Sequence, residues 1–229
     1  MPSAIVLDAV GTLIHADPPV ADVYHLLGWQ HGSQLDRDEV ARRFRAAFAA
    51  SEAGDGLDRS ATSETLERDR WRRIVATVLD DVPDPAGMLF HALWHHFAQP
   101  ESWRLFDDAA AVLVELADRG HRLAIASNFD RRLKSIVAAD PVLRRCELCI
   151  VSSEAGYPKP DRRFFEFAAA RLDLAPADIL LVGDDWTSDI LGARAAGWPA
   201  IWLDRQDSGG HEPGIRNLFE LLPLLAHRS

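Results

Sequence analysis

The sequence predicts an α/β protein: a parallel sheet core interrupted by one inserted all-helical domain. Three observations carry the prediction. Four short apolar runs are continuous rather than alternating, which is how strands buried on both faces read. Each run stops at polar or acidic residues, as strands do at the crevice of an open parallel sheet. The stretch 15–101, between the first run and the rest, carries helical periodicity and no strand-like run. The expected division is therefore a core of 1–14 and 102–229 around a helical insert of 15–101.

Ile5-Val6-Leu7 is the first run. It ends at Asp8, and Gly11 permits a tight turn before Thr12 and Leu13. Helices follow over 20–31 and 38–51, the second because Val40, Phe44, Ala47 and Phe48 recur at i, i+4, i+7 and i+8. Gly54-Asp55-Gly56 breaks the pattern before a helix over 62–79, with Leu66, Ile74 and Val78 among its apolar positions. Pro83 and Pro85 precede another helix over 86–97. From Trp103 onward strands and helices alternate. Asp107 and Asp108 are candidate N-caps for a helix to Ala117, with Gly120 as its stop. The second run, 123–126, reaches Ser127-Asn128 and a helix near 131–138. The third, 149–151, leads through Ser152-Ser153-Glu154 to Lys159, after which Asp161 caps a helix over 162–172. Pro176 opens a turn into the fourth run, 179–182, which ends at Gly183-Asp184-Asp185. Thr187 or Ser188 starts a helix closed by Gly197, then come a fifth strand at 200–203 and a last helix near 215–225.

The 229 residues suffice for a real core, and 48% hydrophobic with 26% charged residues is an ordinary soluble composition. A formal net charge of -10 argues against a nucleic-acid surface, while leaving room for a local positive pocket that takes a small anion. No apolar run approaches the ~18 residues of a membrane span. The first apolar segment lacks a basic lead and ends in Asp8, which argues against a signal peptide. Two cysteines make no disulfide framework, so a reducing cytoplasm is expected. Oligomeric state is left open.

Asp8-Ala9-Val10-Gly11-Thr12-Leu13, Ser127-Asn128, Lys159 within Gly156-Tyr157-Pro158-Lys159-Pro160-Asp161, and Gly183-Asp184-Asp185-Trp186-Thr187-Ser188-Asp189 resemble, in order, the four motifs of the haloacid dehalogenase superfamily. The wider strings 127–133 and 153–161 resemble one subgroup of it. The resemblance covers roughly 1–14 and 102–205 and implies a Rossmann-like catalytic core. The insert is similar only in placement and helical character to the family's type 1 cap.

The chemistry also reads from the residues. Carboxylates at 8, 184, 185 and 189 gathered in one crevice repel one another, and a divalent cation relieves this; Mg²⁺ suits an all-oxygen set. Asp8 then attacks phosphorus to give an aspartyl-phosphate. Lys159 supplies a compact positive charge to the phosphoryl oxygens, and the Ser127 hydroxyl with neighbouring backbone N–H groups binds the same oxygens. The resemblance implies Asp8, Lys159 and Ser127 as catalytic, Thr12, Ser127, Asn128 and Lys159 as substrate-binding, and Asp8, the Val10 carbonyl, Asp184 and Asp189 as the metal set. Which of Asp185 and Asp189 orients a bound water or Lys159 stays open. The expected activity is that of a phosphatase of small phosphorylated metabolites.

Val10 departs from the family's phosphatases, which carry a second Asp there as acid/base. Its absence removes a contribution of typically ~10²–10⁴-fold and predicts a slow enzyme favouring good leaving groups. Two alternatives follow: a metal-independent 2-haloacid dehalogenase, whose class also lacks that Asp, and a degenerate protein that only binds a phosphoryl ligand. Asp130 is a candidate replacement acid, weighed against a helix cap. Cys146 and Cys149 lack the two further ligands of a zinc site and read as structural. His91 and His95 share a helix face without a third ligand and read as surface residues. Trp29, Trp71 and Trp94 read as core of the helical insert.

Overall fold

The computed structural model describes residues 2–53, 61–206, 211 and 214–226. Five parallel strands form the main sheet: β1 (Ala4–Leu7), β4 (Arg122–Ser127), β5 (Leu148–Val151), β6 (Ile179–Gly183) and β7 (Ala200–Trp202), in the order β5-β4-β1-β6-β7. The four runs of the sequence become the three inner strands and the edge strand β5, with the register Leu7↔Ile125 on one side of β1 and Leu7↔Val182 on the other. Strand order reverses at β1, so the chain ends of β1 and β6 open the crevice where ligands of such sheets bind.

Alternate residues of each strand feed two cores. Ile5, Leu7, Leu123, Ile125, Leu180 and Val182 face one, which is closed by α5 (Asp107–Asp118) and α6 (Arg132–Ala139). Val6, Ala124, Ala126, Ile179 and Leu181 face the other, under α8 (Arg162–Leu172), which follows the one-turn α7 (Ser152–Ala155). Phe164 and Phe165 of α8 are fully buried there, each stabilising the layer by about 1.5–3 kcal/mol. Both-face burial explains why the strands read as unbroken apolar runs.

Among the described residues, four α-helices make most of the insert: α1 (Val20–Gln30), α2 (Arg37–Ala53), α3 (Glu64–Val78) and α4 (Phe90–His96). They share an apolar cluster of their own that includes Tyr24, Val40, Ile74, Val78 and Leu93. Ser63 caps α3 by accepting the Leu66 N–H at 3.2 Å. Gly54-Asp55-Gly56, read as a break, lies outside the described residues. The insert springs from a two-stranded antiparallel ribbon, β2 (Ile14–Ala16) against β3 (Trp103–Leu105), which the sequence did not disclose. Three-residue strands so far apart in the chain leave neither a run nor a hairpin turn to read.

Other expectations need correction. The helix over 86–97 is not continuous: Gly87, inside the wide turn Pro85–Leu89, takes a non-helical conformation, and α4 begins only at Phe90. Phe106, not an aspartate, occupies the cap position of α5; Asp108 is drawn instead to Arg205 and the Leu218 N–H. After β6 the chain enters a wide turn, Trp186–Leu191, capped by Asp185 rather than by Thr187 or Ser188, before the short α9 (Gly192–Ala195). The last helix, α10 (Leu221–Ala226), is shortened because Ile215 bridges to Leu203. Trp29 is 66% exposed and Leu66 is exposed as well, so neither belongs to the insert's core. Asp161 caps α8 as expected, accepting the Arg163 N–H at 2.9 Å.

Candidate active site

The turn after β1, the end of β4, the loop before α8 and the turn after β6 deliver the site residues to one place. Lys159 is its centre. Its Nζ donates to Asp8 Oδ1 at 2.7 Å, to Asp189 Oδ1 at 2.5 Å and to the Ala126 carbonyl at 2.9 Å. All three donor positions of the ammonium are thereby used. Burial alone would lower the Lys159 pKa, but Asp189 and Asp8 outweigh it and hold the group above its ordinary value, so the side chain stays charged. Asn128 fixes the backbone beneath it in both directions: Nδ2 donates to the Lys159 carbonyl at 2.9 Å and Oδ1 accepts the Lys159 N–H at 2.7 Å.

Asp8, Asp184 and Asp189 each offer an oxygen within 4.8 Å of the others. Against these three carboxylates stands one ammonium, and the strain shows at Asp184. Burial, then Asp8 and Asp189, push its carboxyl up to about 7, against the pull of the Thr12 hydrogen bond and Lys159. An all-oxygen set with surplus negative charge is what a hard divalent cation such as Mg²⁺ fits. Asp189 has both oxygens engaged, Oδ1 by Lys159 and Oδ2 by the Asp185 N–H at 3.1 Å. Asp185 is exposed and spends Oδ1 on the Ser188 N–H at 2.6 Å, so the geometry puts Asp189 in the cluster and Asp185 outside it.

Gly11 has φ +92°, and a Cβ there would collide with the Asp184 carboxylate. Only glycine permits this turn and this approach together. Thr12 is fully buried and donates to Asp184 Oδ1 at 2.9 Å. Thr12 thus steadies Asp184, and Asn128 steadies the backbone of Lys159. Ser127 is buried at the end of β4. Val10 is 41% exposed on the same turn as Asp8. A groove of about 590 Å³ opens at Lys159, lined by Asp161, Asp185, Thr187 and Ser188 of the core and by Glu52 of α2.

Asp130 is no spare acid. It is buried and grips Arg132 through both oxygens, at 2.8 and 2.7 Å, while accepting the Arg132 N–H at 3.0 Å. Burial pushes both cysteine thiols up to about 12, which suits structural cysteines and not reactive ones. His91 and His95 lie exposed on α4. Four contributors escaped the sequence reading: the Ala126 carbonyl, the Trp202 Nε1–H that donates to the Asp184 carbonyl at 3.1 Å, the Arg205–Asp108 pair, and Glu64. Glu64 of α3 accepts from Ser153 Oγ at 2.5 Å and from the Arg131 N–H at 3.1 Å, tying insert to core. A charged residue in a helix's first turn was the only available signal for it.

Among known proteins, the family model for haloacid dehalogenase-like hydrolases matches residues 2–197. The human haloacid dehalogenase-like hydrolase domain-containing protein 3 is 30% identical over 96% of this chain and 89% of its own length. A phosphoserine phosphatase of Thermus thermophilus is 32% identical over 66% of this chain and 59% of its own. Among solved structures, the HAD-hydrolase YfnB of Bacillus subtilis, bound to magnesium, superimposes with a TM-score of 0.79 at 18% identity, covering 98% of this chain and 99% of that one. No described helix is long and apolar enough to cross a membrane.

Proposed function

The chain belongs to the haloacid dehalogenase-like hydrolases, and from that premise we propose a Mg²⁺-dependent phosphatase of small phosphorylated metabolites that works through an aspartyl-phosphate on Asp8. The observation that carries the reading is the cluster of Asp8, Asp184 and Asp189 around one charged lysine. Asp8, Asp184 and the Val10 carbonyl would hold the cation, and Asp189 would reach it through water while steadying Lys159. Bound there, Mg²⁺ supplies charge neutralisation at the phosphoryl oxygens.

Lys159 holds Asp8 Oδ1, which leaves Oδ2 to attack phosphorus. The new Oδ2–P bond replaces the ester P–O bond, and the leaving oxygen takes its proton from solvent because Val10 has none to give. The Ser127 hydroxyl would steady the phosphoryl oxygens by hydrogen bonding, and Lys159, whose three hydrogens are already donated, would do so through its charge alone. Water then attacks phosphorus, releases inorganic phosphate and restores the Asp8 carboxylate. Residues 15–101 act as the cap and 1–14 with 102–229 as the catalytic core; a cap over the crevice would favour small substrates.

Hydrolysis across a panel of metabolite phosphates, with Mg²⁺ and with chelator, tests the reading. Mg²⁺-dependent release of phosphate, faster from aryl than from alkyl esters, is the expected result. Val10 also suits attack at carbon without an acid/base. Chloride release from a 2-haloacid in chelator would therefore replace the proposal with dehalogenation. Cation binding with no turnover of any ester would replace it with a binding role.

A further inference from the structure

Arg205, just beyond β7, is a fixed fork rather than a surface cation. Its Nε donates to the Gly11 carbonyl at 3.1 Å and its Nη2 to the Thr12 carbonyl at 2.8 Å. Nη1 and Nη2 also bind the Asp108 carboxylate, at 2.9 and 3.0 Å. Asp108 is anchored in turn by the Leu218 N–H at 2.7 Å. Burial would raise the Asp108 pKa, but the bonds from Arg205 and Leu218 hold it below the usual carboxylate range. The Phe106 ring lies against the guanidinium, with Cζ 4.0 Å from its centre. The two carbonyls that Arg205 grips belong to the two residues that meet the Asp184 carboxylate: Gly11 by close approach and Thr12 by its hydroxyl.

We infer that Arg205 is a positioning residue: by clamping the Gly11 and Thr12 carbonyls against Asp108, it sets how Asp8, before that turn, and Asp184, across from it, face a shared cation. The inference rests on the proposed reading of those aspartates as a cation site. Four acceptors around one planar group demand a guanidinium; a lysine ammonium is a point charge and keeps only part of the set. Side chains that orient metal ligands typically change affinity by about 10–100-fold when removed.

Calorimetric titration of Mg²⁺ into wild type, Arg205→Met and Arg205→Lys tests this, alongside kcat and KM for an aryl phosphate. Arg205→Met is expected to weaken Mg²⁺ binding by at least about 10-fold, with kcat falling more than KM rises and with partial rescue by non-denaturing guanidinium. Arg205→Lys, which keeps a charge opposite Asp108, is expected to show a smaller loss and carries the test if the Met variant fails to fold. Folded variants that bind Mg²⁺ as wild type does would overturn the role of Arg205 alone. A wild-type protein that binds no Mg²⁺ would overturn the cation site and this inference with it.

Discussion

The crevice at the ends of β1, β4 and β6 and the helical insert beside it are held by different forces. In the crevice, charged side chains out of solvent are tied oxygen by oxygen: Lys159 to Asp8, Asp189 and Ala126, and Thr12 to Asp184. In the insert, apolar side chains and rings carry most of the load, with a buried Arg70–Glu67 pair beside them. Tyr24 and Phe44 meet at 5.1 Å and Phe90 and Trp94 at 5.6 Å, and Arg132 of α6 reaches from the core to lie 3.4 Å over the Trp94 ring. Removing one member of a buried ionic network strands its partner, whereas apolar packing degrades by degrees. The difference separates the jobs. On the proposed function, the core would fix the chemistry and the insert would choose the substrate.

The comparison breaks first in turnover. Asp8→Asn should lower phosphate release by about 10⁴-fold or more, as loss of a nucleophile does, while circular dichroism shows an intact fold. A residual rate within tenfold of wild type would move the chemistry elsewhere. Val10→Asp should act in the opposite direction, raising alkyl ester hydrolysis by about 10²–10⁴-fold and aryl hydrolysis by less; an unchanged alkyl rate would contradict the part given to Val10. Lys159→Met leaves Asp8 and Asp189 buried and facing each other, and should cost about 3–5 kcal/mol in a denaturant titration.

A smaller effect is the pH dependence of the metal-free protein. With Asp184 pushed up to about 7 against ~3.9 in an unfolded chain, the native state keeps a proton that the unfolded state has lost. This contribution to stability is full below about pH 4 and falls as pH rises through about 7. Asp184→Asn, which mimics the protonated carboxyl, should therefore gain stability relative to wild type as pH rises over that range, and Mg²⁺ should offset that gain at neutral pH by stabilising wild type. A difference that stays flat would mean Asp184 is not strained. The smallest change belongs to the insert's surface: Trp29→Ala, at a residue 66% exposed, should alter stability by no more than about 0.5 kcal/mol.

Much of this was legible because both-face burial writes unbroken runs such as Ile5-Val6-Leu7 and because the polar residues that end those runs share one crevice. The rest depended on tertiary proximity. Nothing in the sequence says that Asn128 spends its amide on the Lys159 backbone, or that Arg205 reaches back to Gly11. Asp185 and Asp189 look alike as letters; the wide turn at Trp186–Leu191 turns one outward and buries the other. In the insert, periodicity located the helices but misplaced Trp29 and Leu66, since an amphipathic pattern does not say which apolar residues miss the core.

The central claim is that Asp8 accepts a phosphoryl group beside a cation held by the same carboxylates. Borohydride converts an aspartyl-phosphate to homoserine, so quenching turnover with it and sequencing peptides by mass spectrometry reads the claim directly. Homoserine at position 8, formed only when phosphate ester and Mg²⁺ are both present, is the predicted result. An unmodified Asp8 during active Mg²⁺-dependent turnover would contradict it.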